Sequence, residues 1–228
     1  MEIIYLSDSQ QLPNPAYADK SGLLAAGGTL TTKRLIEAYS KGIFPWYSEG
    51  EPVLWWSPDP RVILIPDDLH ISRKMKVLLK KKVFNVTMNR EFENVVEKCS
   101  GLRRSGEGTW ITDDMKNAYS ELHKAGYAHS VEVWEDDILA GGLYGVSFGE
   151  MFFGESMFSL ASNSSKFGFI KLTEYLKNKG FLFVDCQVET DHLKSLGAIP
   201  LDRNKFLKLL KEGVDTNGLK KTKFPSSL

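Results

Sequence analysis

The sequence predicts an α/β (α+β) protein in two parts, a small N-terminal domain over residues 1–61 and a larger domain over residues 62–228. Three observations predict it. Residues 1 to about 60 are rich in Pro, Gly and Trp and hold one helical pattern. From RVILIP at residue 61 onward, helical and alternating segments follow one another regularly. Farther on, the order is two hairpins, a helix, a strand and a short helix.

In the first part, TTKRLIEAYSKG (31–42) reads as a helix capped by Thr31 or Thr32 and closed by Gly42. IFPWYSEGEPVLWWSPDP (43–60) is interrupted by prolines, which argues against a central strand or a long helix. This region reads as a lobe that presents aromatic loops. In the second part, DDLHISRKMKVLLKKK (67–82) is a helical pattern with Met75, Leu78 and Leu79 on one side and Arg73, Lys76 and Lys80 on the other. VFNVTMN (83–89) reads as a strand; EFENVVEKCSG (91–101) and TDDMKNAYSELHKAG (112–126) read as helices, the latter capped by Thr112. Residues 129–159 read as two hairpins turning at EDD and FGE. FGFIKLTEYLKNKG (167–180) is a helix stopped by Gly180, FLFVDCQV (181–188) a strand, and DHLKSLGA (191–198) a short helix stopped by Gly197. Residues 212–228 read as a loosely ordered tail.

Composition narrows the class. Of 228 residues, 42% are hydrophobic and 25% charged, as in ordinary soluble globular proteins. No apolar run reaches the roughly 18 residues that a membrane helix needs. The start, MEIIYLSDSQ, lacks a basic stretch followed by an apolar core, so no secretory signal is expected. Cys99 and Cys186 lie far apart and form no metal spacing, and a reduced, cytoplasmic setting is the expectation. A net charge of zero argues against tight nonspecific binding to long nucleic acid but leaves room for a local basic patch.

Several residues break their local pattern. Asp185 and Gln187 alternate with Val184, Cys186 and Val188, so a strand would show both polar groups on one face, where burial is costly without partners. Cys186 then points away and is expected only to pack. Glu155 interrupts the apolar row of Phe153 and Met157 in MFFGESMFS, either as a structural ion pair or as a functional acid. Trp46 lies in a Pro-containing loop, and Trp110 follows a Gly-rich stretch in RRSGEGTWIT (103–112). Such tryptophans either pack or stack on an unpaired base or an apolar group. Arg73, Lys76 and Lys80 are either a solvated face or a contact for RNA phosphates. The four histidines show no ligand or triad spacing.

The order of hairpins, helix, strand and short helix resembles the core of the acetyltransferase-like (GNAT) fold. In that superfamily a Gly-rich loop before the helix holds the coenzyme A pyrophosphate. The equivalent segment here, SLASNSSKFGF (159–169), has one glycine and no arginine or glutamine at the loop start, which disfavours a coenzyme A–dependent acyltransferase. A noncatalytic RNA-binding module is a further alternative, but it leaves Asp185, Gln187 and Glu155 idle.

A more specific resemblance covers about Gly22 to Leu210. FPW, WWSPDPR, LHISRKMK, EGTWIT, HSVEVW, GGLYGV, GESMFS and DCQVETDHLKSLGA closely resemble motifs of the bacterial leucyl/phenylalanyl-tRNA–protein transferases. The resemblance implies a small N-terminal domain plus a GNAT-like C-terminal domain with a mixed, largely antiparallel sheet. It implies transfer of Leu or Phe, less readily Met, from aminoacyl-tRNA to an N-terminal Arg or Lys of a protein, making a destabilising N-terminus of the N-degron pathway. No cofactor, metal or membrane is then expected. It further implies that Asp185 and Gln187 act in catalysis, that Glu155 lies on the acidic side of the acceptor site, and that Trp46 and Trp110 stand beside the aminoacyl-adenosine end. Leu143, Phe152, Phe169, Leu172 and Val184 are expected in the apolar side-chain pocket. Arg73, Lys76 and Lys80 are expected to meet tRNA. In this reading Asp185 holds Gln187 and stabilises charge on the attacking nitrogen, Glu155 and Asp185 together surround the acceptor's cation, and the proton leaves through Asp185 or a ribose hydroxyl.

Overall fold

The Thr31 hydroxyl accepts from the Arg34 amide and opens the first helix, α1 (Thr32–Ser40). Gly42, at φ +71°, closes it, and a side chain there would stand 2.8 Å from both Phe206 and Leu207. The computed structural model describes residues 3–101 and 110–228, so most of the Gly-rich stretch before Trp110 lies outside the described residues. Beside α1 lies a sheet of β1 (Ile4–Leu6), β2 (Leu23–Gly27), β3 (Phe44–Pro45) and β4 (Leu54–Trp56), in the order β1-β2-β4-β3. Residues 43–60 thus supply an interior strand after all, since β4 lies between β2 and β3. Pro52 and Pro58 fall just outside its paired residues, so they remove no ladder hydrogen bond.

The larger sheet begins one residue inside the first lobe's expected boundary. Its strands are β5 (Arg61–Leu64), β6 (Asn85–Met88), β7 (Ala128–Glu135), β8 (Ile138–Phe148), β9 (Met151–Ser159), β10 (Phe183–Gln187) and β11 (Ile199–Leu201). They are ordered β11-β5-β10-β9-β8-β7-β6, and of these neighbours only β9 and β10 run parallel. The sheet is therefore mixed and largely antiparallel. The meander β7-β8-β9 turns at Asp136, φ +53°, and Gly149, φ +56°, where the sequence places its hairpin turns.

The core lies on both faces of this sheet. On one face α1, α3 (Phe92–Gly101) and α4 (Asp113–Lys124) pack with Phe153, Phe183 and Tyr144 into one apolar cluster that also holds Trp55 and Phe206. Lobe and larger domain therefore share a core. On the other face α5 (Ser164–Asn178) and Met75 of α2 (Arg73–Lys81) cover Phe152 and Val184. After α6 (Asp191–Lys194) and β11, α7 (Arg203–Asn217) runs back over the first face.

The C-terminal stretch is not loose. Residues 212–217 belong to α7, and beyond it the Gly149 amide donates to the Lys220 carbonyl at 2.8 Å. The chain then crosses to the other face, where the Phe224 ring meets those of Phe152, Tyr175 and Phe181. Its last residues pair with the outer edge of β6, the Met88 amide donating to Ser226 and the Leu228 amide to Val86. An unpaired edge strand and an aromatic residue together hold what charge and glycine content alone mark as a tail.

Candidate active site

β9 and β10 pair through Phe183–Asp185 and then each departs from regular strand. Tyr144 pairs with Ser156 and Gly145 with Gly154, so Glu155 is the extra residue of a bulge. The bulge turns alternation over. Phe153 packs on the lobe side, Glu155 bonds to Tyr39 and Tyr119 there, and Met157 packs on the opposite side, contrary to the single apolar row expected. On β10 the register shifts between Asp185 and Gln187, and Gln187 takes φ +62°. A cavity of about 720 Å³ opens between the two departures.

One wall is apolar, formed by Leu143, Phe152, Phe169 and Val184. Gly145 makes room for it: a side chain there would stand 2.6 Å from the Phe152 ring. The other end is polar, with Glu155, Asp185 and Gln187. Trp46 and Trp110 line the opening, and Trp46 is 40% exposed and tilted against Trp56 at 5.6 Å.

The two carboxylates sit in different electrical surroundings. Asp185 is fully buried and receives Arg61 Nε at 2.8 Å and Nη2 at 2.6 Å, while Arg61 itself is 1% exposed. The guanidinium stands over the rings of Phe44 and Phe206, at 4.7 and 4.9 Å. Asp185 Oδ1 also accepts the Gln187 amide at 2.9 Å, which holds that residue in its left-handed conformation. Glu155 has no arginine partner among the described residues. Its oxygens accept from the hydroxyls of Tyr39 at 2.7 Å and Tyr119 at 2.8 Å, and from Gln187 Nε2 at 3.3 Å. Burial pushes its carboxyl up to about 7, against the pull of the two tyrosines. Burial likewise raises the Tyr39, Tyr119 and Tyr144 hydroxyls well above their ordinary range, so all three stay protonated, and Tyr39 and Tyr119 donate to Glu155.

Asp185, Gln187, Glu155, Trp46, Trp110, Leu143, Phe152, Phe169 and Val184 thus meet around one cavity. Leu172 does not: it is fully buried in the core beneath α5 and lines no part of the wall. Asp185 is not a free carboxylate for a cation, because Arg61 already neutralises it. Arg73, Lys76 and Lys80 are exposed on α2 and none lines the cavity. Cys186 is buried, yet it also lines the cavity, beyond the packing role expected of it, and burial raises both thiols, that of Cys99 to about 12. Neither is a ready nucleophile. Sequence reasoning missed Arg61, Tyr39 and Tyr119, which act across distant chain positions, and His192, which lines the cavity. The signal for Arg61 was its place in WWSPDPR, an arginine opening a strand of otherwise apolar residues. Among the described residues no group of three or more His, Cys, Asp or Glu is placed to hold a metal, and no helix is long and apolar enough to cross a membrane.

Comparison with known proteins identifies the family of the chain. The family model for leucyl/phenylalanyl-tRNA protein transferase matches residues 63–211, and the model for the N-terminal domain of that family matches residues 28–59. A leucyl/phenylalanyl-tRNA–protein transferase of Pseudomonas fluorescens is 54% identical over 200 residues, covering 88% of each chain. That of Desulfatibacillum aliphaticivorans is 52% identical over 216 residues, 94% of this chain and 93% of the relative. Among solved structures, a GCN5-related N-acetyltransferase from Kribbella flavida aligns with a TM-score of 0.38 and 9% identity, over 73% of this chain and 59% of that one. The protein is a tRNA-dependent aminoacyltransferase. It belongs to the leucyl/phenylalanyl-tRNA–protein transferase family, whose reaction is aminoacyl transfer from tRNA to protein.

Proposed function

We propose that the chain moves Leu or Phe, and Met less readily, from aminoacyl-tRNA to proteins that begin with Arg or Lys. The products carry destabilising N-termini for the N-degron pathway, and the cytoplasm is where aminoacyl-tRNA is supplied. One observation carries this reading: a single cavity has an apolar wall of Leu143, Phe152, Phe169 and Val184 at one side and the buried acid Glu155 at the other. The wall suits an unbranched or γ-branched donor side chain. The acid suits a long cationic acceptor. Trp46 and Trp110 at the opening suit the terminal adenosine. The exposed cations Arg73, Lys76 and Lys80 suit phosphates of the acceptor stem.

The reaction is aminolysis of an ester. The acceptor's α-amine attacks the ester carbonyl, the amide C–N bond forms, the ester C–O bond breaks, and the ribose hydroxyl leaves with a proton. An α-amine has an ordinary pKa near 7.7–8.0, so a useful fraction is already a nucleophile at neutral pH. Orientation of amine and ester can supply roughly 7–11 kcal/mol of the barrier. Gln187 is the orienting group. Its amide nitrogen is spent on Glu155, which leaves the amide oxygen to accept from the amine. Asp185 acts through Gln187, fixing its backbone from behind. Protonating Asp185 would strand the buried Arg61 charge, so the excess proton passes to the leaving ribose oxygen and Glu155 supplies negative charge for the acceptor.

The test is incubation with a mixture of Leu-, Phe- and Ile-tRNA and an Arg-started peptide, read by mass. Leu and Phe addition is expected in excess over Ile, by the roughly 1–3 kcal/mol that a misfitting methyl costs in such a pocket. Equal use of Ile would contradict the wall's role.

A further inference from the structure

Positive and negative side chains balance over the whole chain, yet four lysines and one carboxylate gather around a second cavity of about 350 Å³. Lys179 comes from the end of α5, Lys220, Lys221 and Lys223 from the C-terminal stretch, and Glu150 from the β8–β9 turn. The backbone that presents them is fixed. The Gly149 amide donates to Lys220, the Thr222 hydroxyl donates to the Gly149 carbonyl at 3.0 Å, and the Tyr175 hydroxyl donates to Lys223 at 3.4 Å. Two ammonium groups are also steered by rings, Lys179 over Tyr175 at 5.8 Å and Lys221 over Tyr127 at 5.6 Å. On the same helix Lys171 and Lys177 are paired with Glu174 and Asp67, whereas no described ion pair takes up the four lysines of the cavity.

Ammonium groups around a concave wall that includes Tyr175 and Phe181 match the chemistry of an RNA strand, with phosphates for the lysines and a base or sugar for the rings. A membrane surface would meet a flat basic face with protruding apolar groups, and here the rings are recessed. Glu150 lies in the turn just before β9 and Glu155 is midway along that strand, up to about 16 Å farther on at about 3.3 Å per residue, and the two cavities share no lining residue. We propose that this cavity is a second RNA site, which grips backbone phosphates of the donor tRNA beyond its 3′-terminal nucleotides. The proposal rests on the donor being a tRNA and adds a contact at the sheet's far end.

The experiment combines Lys220→Ala, Lys221→Ala and Lys223→Ala in the full chain. It follows binding of uncharged full-length tRNA by fluorescence anisotropy across a salt series, and turnover with a short aminoacyl-adenosine donor. The expected result is a roughly tenfold loss of tRNA affinity and a log–log salt slope shallower by about 2–3, with turnover of the short donor as in the parent protein. Lys179→Ala, on the α5 side, is expected to change the slope by about 1 in the same direction. Unchanged affinity and slope in both variants would overturn the proposal. So would an equal loss with the short donor, which marks a structural role, or weaker binding to phosphatidylglycerol vesicles with tRNA binding intact. If the parent protein uses neither donor, the transferase reading fails, while the tRNA titration still decides this site.

Discussion

A buried arginine sets what Asp185 can do. With Arg61 across both its oxygens and Gln187 on one of them, Asp185 is a support and Glu155 is the acid that titrates. Arg61→Met leaves Asp185 charged and alone, so a stability loss of about 3–5 kcal/mol by urea unfolding is expected. Adding Asp185→Leu to that variant, which removes the acceptor oxygen together with the charge, is expected to restore most of the stability and little of the transfer rate, because Gln187 loses its anchor. Full activity in the double variant would contradict the anchoring role. Glu155 gives a pH signature. Its folded value, near 7, lies above its ordinary value of 4.5, so the penalty for burying its charge is absent below about 4.5 and grows as pH rises to about 7. Glu155→Gln is therefore expected to gain stability relative to the parent as pH rises through that window, and to level off above it. A constant difference from pH 4 to 8 would show that Glu155 does not titrate there.

At the scale of elements, the tail is a clamp. It pairs with the free edge of β6 and sets Phe224 against Phe152, which also lines the larger cavity. Phe224→Ala is expected to lower stability by about 2–3 kcal/mol, below the range for a fully buried phenylalanine because Phe224 is partly exposed. A loss under about 0.5 kcal/mol in thermal or urea unfolding would mean the tail is only laid on the surface. Most elements of the larger domain are legible in the sequence, because caps such as Thr112 and stops such as Gly180 agree with periodicity. The bulge at Glu155 is not, since one inserted residue leaves the letters alternating while the faces exchange. In α7, Phe206, Leu210 and Val214 recur every four residues behind the Asp202 cap, yet the charge-rich, Gly-containing sequence around its end reads as a tail. The interior strand β4 was hidden by the prolines around it, whose cost depends on a pairing position that the sequence does not display.

Over the whole molecule, the lobe and the larger domain build one site between them. Tyr39 of α1 and Tyr119 of α4 converge on Glu155, while Arg61 and Phe44 sit behind Asp185. The site's cast was legible where rare residues stand in motifs, as with Trp46, Glu155 and Gln187. Its wiring was not, because each supporting contact joins residues far apart in the chain, 124 positions for Arg61 and Asp185. The central claim is that one cavity holds an apolar donor side chain and, through Glu155, a cationic acceptor. Its most direct test is competition between Arg-started and Ala-started peptides at saturating Phe-tRNA, in the parent protein and in Glu155→Gln, read by mass as pH is varied. The parent is expected to prefer the Arg peptide increasingly as pH rises through about 7, and Glu155→Gln to lose that preference mainly through KM while keeping turnover of the Ala peptide. A variant that still discriminates against the Ala peptide as strongly as the parent would place the cation site elsewhere.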